Sequence, residues 1–76
     1  MPVIKDILKE YKKTAKLNNK DRFEYWVIGD VVTIITNKPG YLIGKNGNLI
    51  HEYKEKLIPF GVNQIDLIED RFVTKL

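Results

Sequence analysis

The sequence predicts one α+β domain in which helices cover one face of a single β-sheet. The chain has 76 residues, which is enough for one domain with one core. Apolar residues recur at helical spacing in two segments and favour strands in three others. Turn residues separate these segments, and a cap followed by Pro39 predicts a further short helix before Gly44, so the elements follow in the order α-β-β-α-α-β. One sheet with its helices on one face is the simplest arrangement that buries all of these apolar stripes.

The first half of the chain predicts a helix and a β-hairpin. The apolar stripe of the helix consists of Ile4, Ile7, Leu8, Tyr11 and Ala15, and the pattern fades at residues 17–19. Two β-branched and aromatic runs, 22–28 and 31–36, flank Gly29-Asp30, a two-residue turn with glycine first. The pairing that this turn imposes gives the hairpin a core face, formed by Phe23, Tyr25, Val27, Val32 and Ile34. The opposite face holds Trp26, Ile28, Val31, Thr33 and Ile35.

The second half predicts two short helices and a last strand. Asn37 or Lys38 can cap the first of these helices, which extends to about Ile43 because Gly44 interrupts it. Asn46 is a suitable cap for the next helix, which opens near Gly47 and ends before Pro59. The apolar stripe of that helix consists of Leu49, Ile50, Tyr53 and Leu57. A strand over 62–68 follows, and the tail 69–76 either extends this strand or frays.

Composition excludes several classes of protein. The chain has no cysteine, so disulfides and thiolate metal sites are ruled out. No apolar run approaches the roughly 20 residues of a membrane helix, and the N-terminus lacks the apolar stretch of a signal peptide. We therefore expect a soluble cytoplasmic protein.

The chain carries a modest excess of positive charge that is unevenly distributed. Thirteen Lys+Arg against ten Asp+Glu give a net charge of +3. Between Val31 and His51 there is no acidic residue, so a phosphate backbone can approach this stretch without meeting a carboxylate. The lysines in the first twenty residues are Lys5, Lys9, Lys12, Lys13, Lys16 and Lys20. Those on the first helix form either an additional phosphate track or a solubilising surface.

The most informative segment is the connection Gly44-Lys45-Asn46-Gly47 between the two short helices. A glycine at each end lets another backbone approach closely and permits dihedral angles that other residues resist. The following helix directs its unpaired N–H groups toward the loop, and Lys45 adds a mobile charge. These features predict a phosphate clamp. The alternative is an ordinary turn between two helices.

The surrounding residues extend this pattern to a family signature. The segment 43–50, Ile-Gly-Lys-Asn-Gly-Asn-Leu-Ile, resembles the IGxxGxxI signature of KH domains at every fixed position. The preceding Lys38-Pro39-Gly40 resembles the lead-in of prokaryotic KH domains such as that of a small-subunit ribosomal protein. The element order is that of the type II KH fold. The resemblance covers the whole chain in element order and thirteen residues in detail.

The resemblance implies a fold, a ligand and a set of contacts. The fold would be a type II KH domain with a three-stranded mixed sheet and three helices on one face. The ligand would be single-stranded nucleic acid, RNA in the first place, held as about four nucleotides in a groove. Carried over by position, the nucleic-acid-binding residues would be Gly44, Lys45, Asn46, Gly47, Lys38, Tyr41 and Leu42. Tyr41 and Leu42 would form one wall of the groove and the last strand the other. Ile43 and Ile50 would pack rather than contact the ligand.

Nothing in the sequence predicts an enzyme or a cofactor site. His51 has no partner arranged for catalysis, and the carboxylates are scattered among lysines as on a solvated surface. The Gly-Lys-Asn-Gly loop lacks the spacing and the following Ser/Thr of a P-loop. We expect no catalytic residue, no metal site and no cofactor.

A second function class depends on the hairpin's other face. A sheet covered by helices on one side leaves its outer side exposed, and an apolar patch there marks a contact surface. The residues of this patch are Trp26, Ile28, Val31 and Ile35. They predict a homodimer or a protein partner, unless the C-terminal tail folds over them. The chain would then be a KH-fold assembly piece with weak or lost nucleic-acid binding.

Overall fold

The structure of the protein, a computed structural model, describes residues 3–70. Its elements are α1 (Ile4–Thr14), β1 (Phe23–Ile28), β2 (Val31–Thr36), α2 (Pro39–Ile43), α3 (Asn48–Leu57) and β3 (Gln64–Glu69). Short 3-10 turns at Lys45–Gly47 and Ile58–Phe60 flank α3. The predicted order α-β-β-α-α-β is confirmed. No helix within residues 3–70 has the length and apolar character needed to cross a bilayer.

The three strands form one mixed sheet with β2 in the centre. β1 pairs with β2 antiparallel, and β2 pairs with β3 parallel. The hairpin register is the one that a two-residue Gly-Asp turn imposes, with Val27 opposite Val32 and Tyr25 opposite Ile34. The predicted α+β class, with a three-stranded mixed sheet and three helices, is therefore confirmed. β1 and β3 are left as the two edges of the sheet.

The core lies between the inner face of the sheet and a layer built from the helices. Its buried members are Ile7, Leu8, Tyr11, Ala15, Leu17, Val32, Ile34, Leu42, Tyr53, Leu57, Val62 and Ile65. α1 and α3 are held together by their tyrosines: the rings of Tyr11 and Tyr53 stack with centroids 4.4 Å apart and an interplanar angle of 15°. The hydroxyl of Thr14 lies 2.9 Å from that of Tyr53. The helix layer is thus joined by polar contacts as well as by apolar packing.

The helix layer covers the sheet unevenly, which corrects one prediction. The inner residues of β2, Val32 and Ile34, are fully buried. Val27 of β1 lies on the predicted core face but is 40% exposed, and Phe23 and Tyr25 are only half-buried. The reason is position, because β1 is an edge strand and the helices pack mainly over β2 and β3. A strip of the inner sheet face along β1 therefore remains accessible.

Several predicted element ends are also corrected. α1 ends at Thr14, before residues 17–19, because Lys16 adopts a left-handed conformation and the N–H of Leu17 bonds back to the carbonyl of Lys12. Of the two predicted caps of α2, Lys38 occupies the N-cap position without a side-chain hydrogen bond, whereas the side-chain oxygen of Asn37 accepts a hydrogen bond from the N–H of Arg22. β3 begins at residue 64, and the N–H groups of residues 63 and 64 bond to the carbonyl of Asp30. Of the predicted tail 69–76, Glu69 extends β3 by one residue, and 71–76 lie outside the described residues.

The hydroxyl of Tyr11 gives a stability prediction, since it donates a hydrogen bond to the main-chain carbonyl of Leu42. That carbonyl is in the last turn of α2, where it has no partner within the helix. We expect Tyr11→Phe to lower the free energy of unfolding by about 1–2 kcal/mol, measured by urea denaturation. Tyr25→Phe is the control, because the described residues give its half-exposed hydroxyl no hydrogen-bond partner. An equal loss in both variants would contradict this role of Tyr11.

The same residue predicts a sensitivity to alkaline pH. Burial, and secondarily the neighbouring Tyr53, raise the pKa of Tyr11 well above its ordinary value near 10. The unfolded chain therefore loses this proton before the folded chain does, and stability falls as the pH rises above about 10. We expect the urea midpoint of the wild type to fall more steeply between about pH 9 and 11 than that of Tyr11→Phe. Parallel curves would contradict the assignment.

Candidate functional site

The loop between α2 and α3 has a backbone that few side chains would permit. Gly44 has φ 76° and ψ −178°, an extended left-handed conformation that is close to glycine-only. Asn46 and Gly47 follow with φ 57° and 76°, both in the left-handed helical region. Asparagine tolerates this region better than most residues do. The predicted role of Asn46 as the cap of α3 is therefore wrong. Asn46 is the middle residue of the 3-10 turn Lys45–Gly47, and Gly47 occupies the cap position.

Gly44 is required by packing as well as by its dihedral angles. A Cβ atom at this position would lie 2.6 Å from the Cβ of Leu49 and 3.0 Å from its backbone nitrogen. The first turn of α3 therefore packs directly on the bare backbone of the loop. A Cβ atom added to Gly47 would have no other atom within 4 Å, so the space around this glycine is open. The two glycines of the motif have different structural roles.

The loop presents donors and positive charge without a competing carboxylate. Lys45 and Asn46 are exposed, and α3 has no acidic residue in its first turn. No side chain caps the N-terminus of α3; the N–H of its first residue, Asn48, bonds to the carbonyl of Lys45, and no capping side-chain oxygen competes for the N–H groups that follow. Such N–H groups and a nearby ammonium group are suited to a phosphate or another anion. An open backbone at Gly47 lets that anion come close.

A groove lies between α3 and the edge strand β3. Its volume is about 240 Å³, and its walls are Ile50, His51, Lys54, Gln64 and Ile65. Its lining on α3 begins three residues after Gly47 and spans Ile50 to Lys54, about 6 Å along the helix. Its apolar part is formed by Ile50 and Ile65. Ile65 belongs to the core, and Ile50 packs against it. Because β3 is an edge strand, the backbone groups on its outer side have no strand partner among the described residues.

The predicted site residue Lys38 is held by a carboxylate. Its Nζ lies 3.0 Å from Asp21 Oδ1, and the side chain of Asp21 is only 6% exposed. The hydrogen bond that Lys38 donates to Asp21 raises the pKa of Lys38, while the hydrogen bonds donated by the N–H of Asn18 and then by Lys38 lower the pKa of Asp21. Lys38 also lies 5.1 Å from the ring centroid of Tyr41. The positive charge of Lys38 is therefore already compensated within the protein.

The two residues of α2 that are predicted to form a groove wall differ in their exposure to solvent. Tyr41 is 51% exposed, so one side of its ring is accessible next to the loop. Leu42 is fully buried, and the prediction that its side chain lines a groove is wrong. The reason is the helical period, because α2 packs against α3 and β3 and Leu42 lies on the packed side. Leu42 contributes its backbone carbonyl to Tyr11 and its side chain to the core.

Sequence reasoning named the last strand as a groove wall but did not place α3 opposite it. Ile50 packs against the core and His51 is exposed, as predicted, and both also line the groove together with Lys54. Their spacing of i, i+1 and i+4 on the helix after the loop was the available signal. The contribution of Gln64 depends on how α3 packs on β3, for which the sequence has no local signal.

Comparison with known proteins does not supply a function. No family model, no curated protein and no solved structure matches this chain. Within residues 3–70, no group of three His, Asp or Glu side chains is arranged to hold a metal ion. Function is therefore inferred from the loop, the groove and their charges.

Proposed function

We propose that this chain is a type II KH domain that binds single-stranded nucleic acid, with RNA as the expected ligand. The observation that carries the proposal is the loop 44–47. The segment 43–50 that contains it fills the fixed positions of the IGxxGxxI pattern, and the bare, left-handed backbone of the loop leads directly into α3, which forms one wall of the α3–β3 groove. KH domains use such a loop to clamp the backbone of about four nucleotides.

The clamp would work through backbone approach and positive charge. A phosphate lies against Gly47 and the first N–H groups of α3, with Lys45 beside it. The bases then lie in the α3–β3 groove, where Ile50 and Ile65 offer apolar contacts and Lys54 a second cation. Base edges can bond to backbone groups of residues 64–68 along the edge of β3 that has no strand neighbour among the described residues. Lys38 supports the loop through Asp21 and Tyr41, and Tyr41 offers an exposed ring beside it.

Salt dependence tests this function on the wild-type protein. Within residues 3–70, the proposed site has two uncompensated lysines, Lys45 in the loop and Lys54 in the groove, so a short single strand of about four nucleotides should release about two counterions. The expected slope of log K against log salt is then about −1.4, at roughly −0.7 per contact. A duplex RNA of the same sequence should bind more weakly, because its bases are paired and cannot enter the groove. Equal binding of duplex and single strand, or a slope near zero, would contradict the proposal.

A second candidate function depends on the outer face of the sheet. Trp26, Ile28 and Ile68 are 41%, 68% and 46% exposed, and Val31 and Ile35 lie between them on β2. We propose a second copy of the chain as the occupant, because the apolar residues of this face can pack on those of an identical face with the sheets about 10 Å apart, while Glu24 and Asp66 of the same face lie on the two edge strands. Three strands of six residues cover roughly 300 Å², well below the ~800 Å² per partner of a stable interface. The dimer is therefore weak.

Self-association can be followed through Trp26, the chain's one tryptophan. We expect its fluorescence to shift to shorter wavelength, and the mass in sedimentation equilibrium to rise, as protein concentration increases. Ile28→Lys should abolish both changes, because it places a charge among the apolar residues at the hairpin end of the face. Ile58→Lys is the matched control, since Ile58 is 44% exposed on a different surface. A monomer mass at every concentration, also after deletion of residues 71–76, would contradict the dimer.

A further inference from the structure

A second groove lies at the opposite edge of the sheet, between α1 and β1. Its volume is about 250 Å³, and it is lined by Lys5, Lys9, Lys12, Phe23 and Tyr25. The lining is mainly apolar at the base and cationic at the rim, because the two rings are half-buried and Lys5 and Lys9 are exposed. None of these residues belongs to the loop 44–47 or to the α3–β3 groove.

The secondary structure brings these five residues together. On α1, positions 5, 9 and 12 follow each other at i, i+4 and i+7, so the three lysines lie on one side of the helix. On β1, Phe23 and Tyr25 alternate onto the inner face, with ring centroids 6.3 Å apart. The rings remain accessible because the helix layer leaves the inner face of β1 partly uncovered.

No carboxylate of the described residues neutralises this groove. Lys5, Lys9 and Lys12 form no ion pair within residues 3–70. The two acids of α1 are directed elsewhere: Asp6 accepts the N–H of Val3, and Glu10 pairs with Lys56 of α3. The acid of β1, Glu24, lies on the outer face of the sheet and pairs with Arg22.

We propose that the α1–β1 groove binds a second stretch of single-stranded nucleic acid. Bases stack on Phe23 and Tyr25, and the lysines of α1 contact the phosphates on either side. Aromatic faces set in a cationic groove are the combination that holds single strands without regard to sequence. This proposal takes the class of ligand, single-stranded nucleic acid, from the proposed function. The groove itself is a separate observation that does not depend on the loop 44–47. β1 and β3 are opposite edges of the sheet, so one short strand cannot occupy both grooves.

Strand length and salt dependence test this groove. In Lys5→Gln/Lys9→Gln, the salt slope for a strand of roughly 16 nucleotides should become shallower by about 1.4, with an affinity loss of at least about tenfold. Binding of a strand of about four nucleotides at the loop should be unchanged. Lys13→Gln/Lys20→Gln removes the same charge outside the groove and should behave as the wild type. Equal slopes for both double variants would overturn the proposal.

Stacking is tested separately at Tyr25. Tyr25→Leu keeps an apolar side chain against the core but removes the ring, and the long strand should bind about 5- to 100-fold more weakly. Tyr25→Phe keeps the ring and should bind as the wild type. If circular dichroism shows that Tyr25→Leu does not fold, the comparison of the two lysine double variants becomes the test of the proposal. If Tyr25→Leu is folded and binds the long strand as the wild type does, the groove is a plain anion surface and the proposal is overturned.

The two nucleic-acid sites fail in distinguishable ways. If changes at Lys45 abolish all binding while the Lys5 and Lys9 changes do nothing, the second groove is overturned and the loop site stands. If the long strand still binds after the loop is changed, and that binding needs Lys5 and Lys9, the second groove stands and the loop site fails. If neither strand binds the wild type, both are overturned.

Discussion

Replacing Gly44 with alanine is expected to destabilise the protein by about 2–6 kcal/mol. The near glycine-only dihedral angles account for about 1–3 kcal/mol, and the contact of the new Cβ at 2.6 Å from Leu49 adds about 1–3 kcal/mol of overpacking. The Leu49 atoms belong to the first turn of α3, so they cannot move aside without shifting the helix. A domain of this length has a total stability of about 4–11 kcal/mol, so the loss is a large share of it. Urea denaturation measures it directly.

Gly47→Ala is the matched control for this prediction. Gly47 has the same φ of 76°, but no atom lies within 4 Å of its added Cβ. Only the cost of the left-handed conformation remains, about 1–2 kcal/mol. We therefore expect the Gly44 variant to be less stable than the Gly47 variant by more than about 1 kcal/mol. Equal losses of unfolding free energy in the two variants would contradict the close contact between α3 and Gly44.

Changing the loop charges is expected to have the largest effect on ligand binding. Lys45→Asp/Asn46→Asp replaces one cation and one amide by two carboxylates where a phosphate is proposed to bind. The loss of a charge-assisted contact is worth about 1.5–3 kcal/mol, which corresponds to roughly 10- to 150-fold in Kd. Both side chains are exposed, and aspartate tolerates the left-handed position 46. The fold should therefore survive, which circular dichroism can verify.

A control with the same chemistry is available elsewhere in the chain. Asn19→Asp/Lys20→Asp makes the same change of net charge in an exposed turn outside both grooves. We expect this variant to bind a four-nucleotide strand within about twofold of the wild type, since it lies outside the contact surface. A similar loss in both double variants would mean that net charge alone, and not the loop, determines binding.

The fold was largely predictable because its local signals agree with one another. The Gly29-Asp30 turn fixes the hairpin register, and the stripes on α1 and α3 determine which sides are buried. The position of the loop was equally predictable, because two glycines three residues apart interrupt a helical pattern. These features depend on neighbours in the sequence, so they need no knowledge of the tertiary structure.

The details of the candidate site were less predictable because they depend on tertiary packing. The burial of Leu42 follows from how α2 packs against α3 and β3, and the pairing of Lys38 follows from the nearness of Asp21. Asp21 is distant from Lys38 in the sequence, and the short α2 has no apolar stripe that shows which of its sides is buried. The half-buried state of Tyr25 was likewise missed, because alternation along a strand predicts which face a residue occupies but not whether a helix covers it.

Weak individual sites are useful when they act together. A groove for about four nucleotides has few phosphate contacts and a correspondingly modest affinity. A second groove on the same chain, or a second chain in a dimer, turns the next binding event into an intramolecular one and raises the overall affinity without new contacts. The three proposals therefore describe separate surfaces that can contribute to one binding activity.

Amide chemical-shift mapping during titration with a four-nucleotide RNA tests the central claim most directly. It reads the contact surface residue by residue and needs no variant. If the loop and the α3–β3 groove form the site, the shifts should concentrate at 44–51, Lys54 and 64–65 and should leave the outer face at Trp26 and Ile28 unchanged. Shifts confined to other surfaces, or none at saturating RNA, would contradict the proposed function.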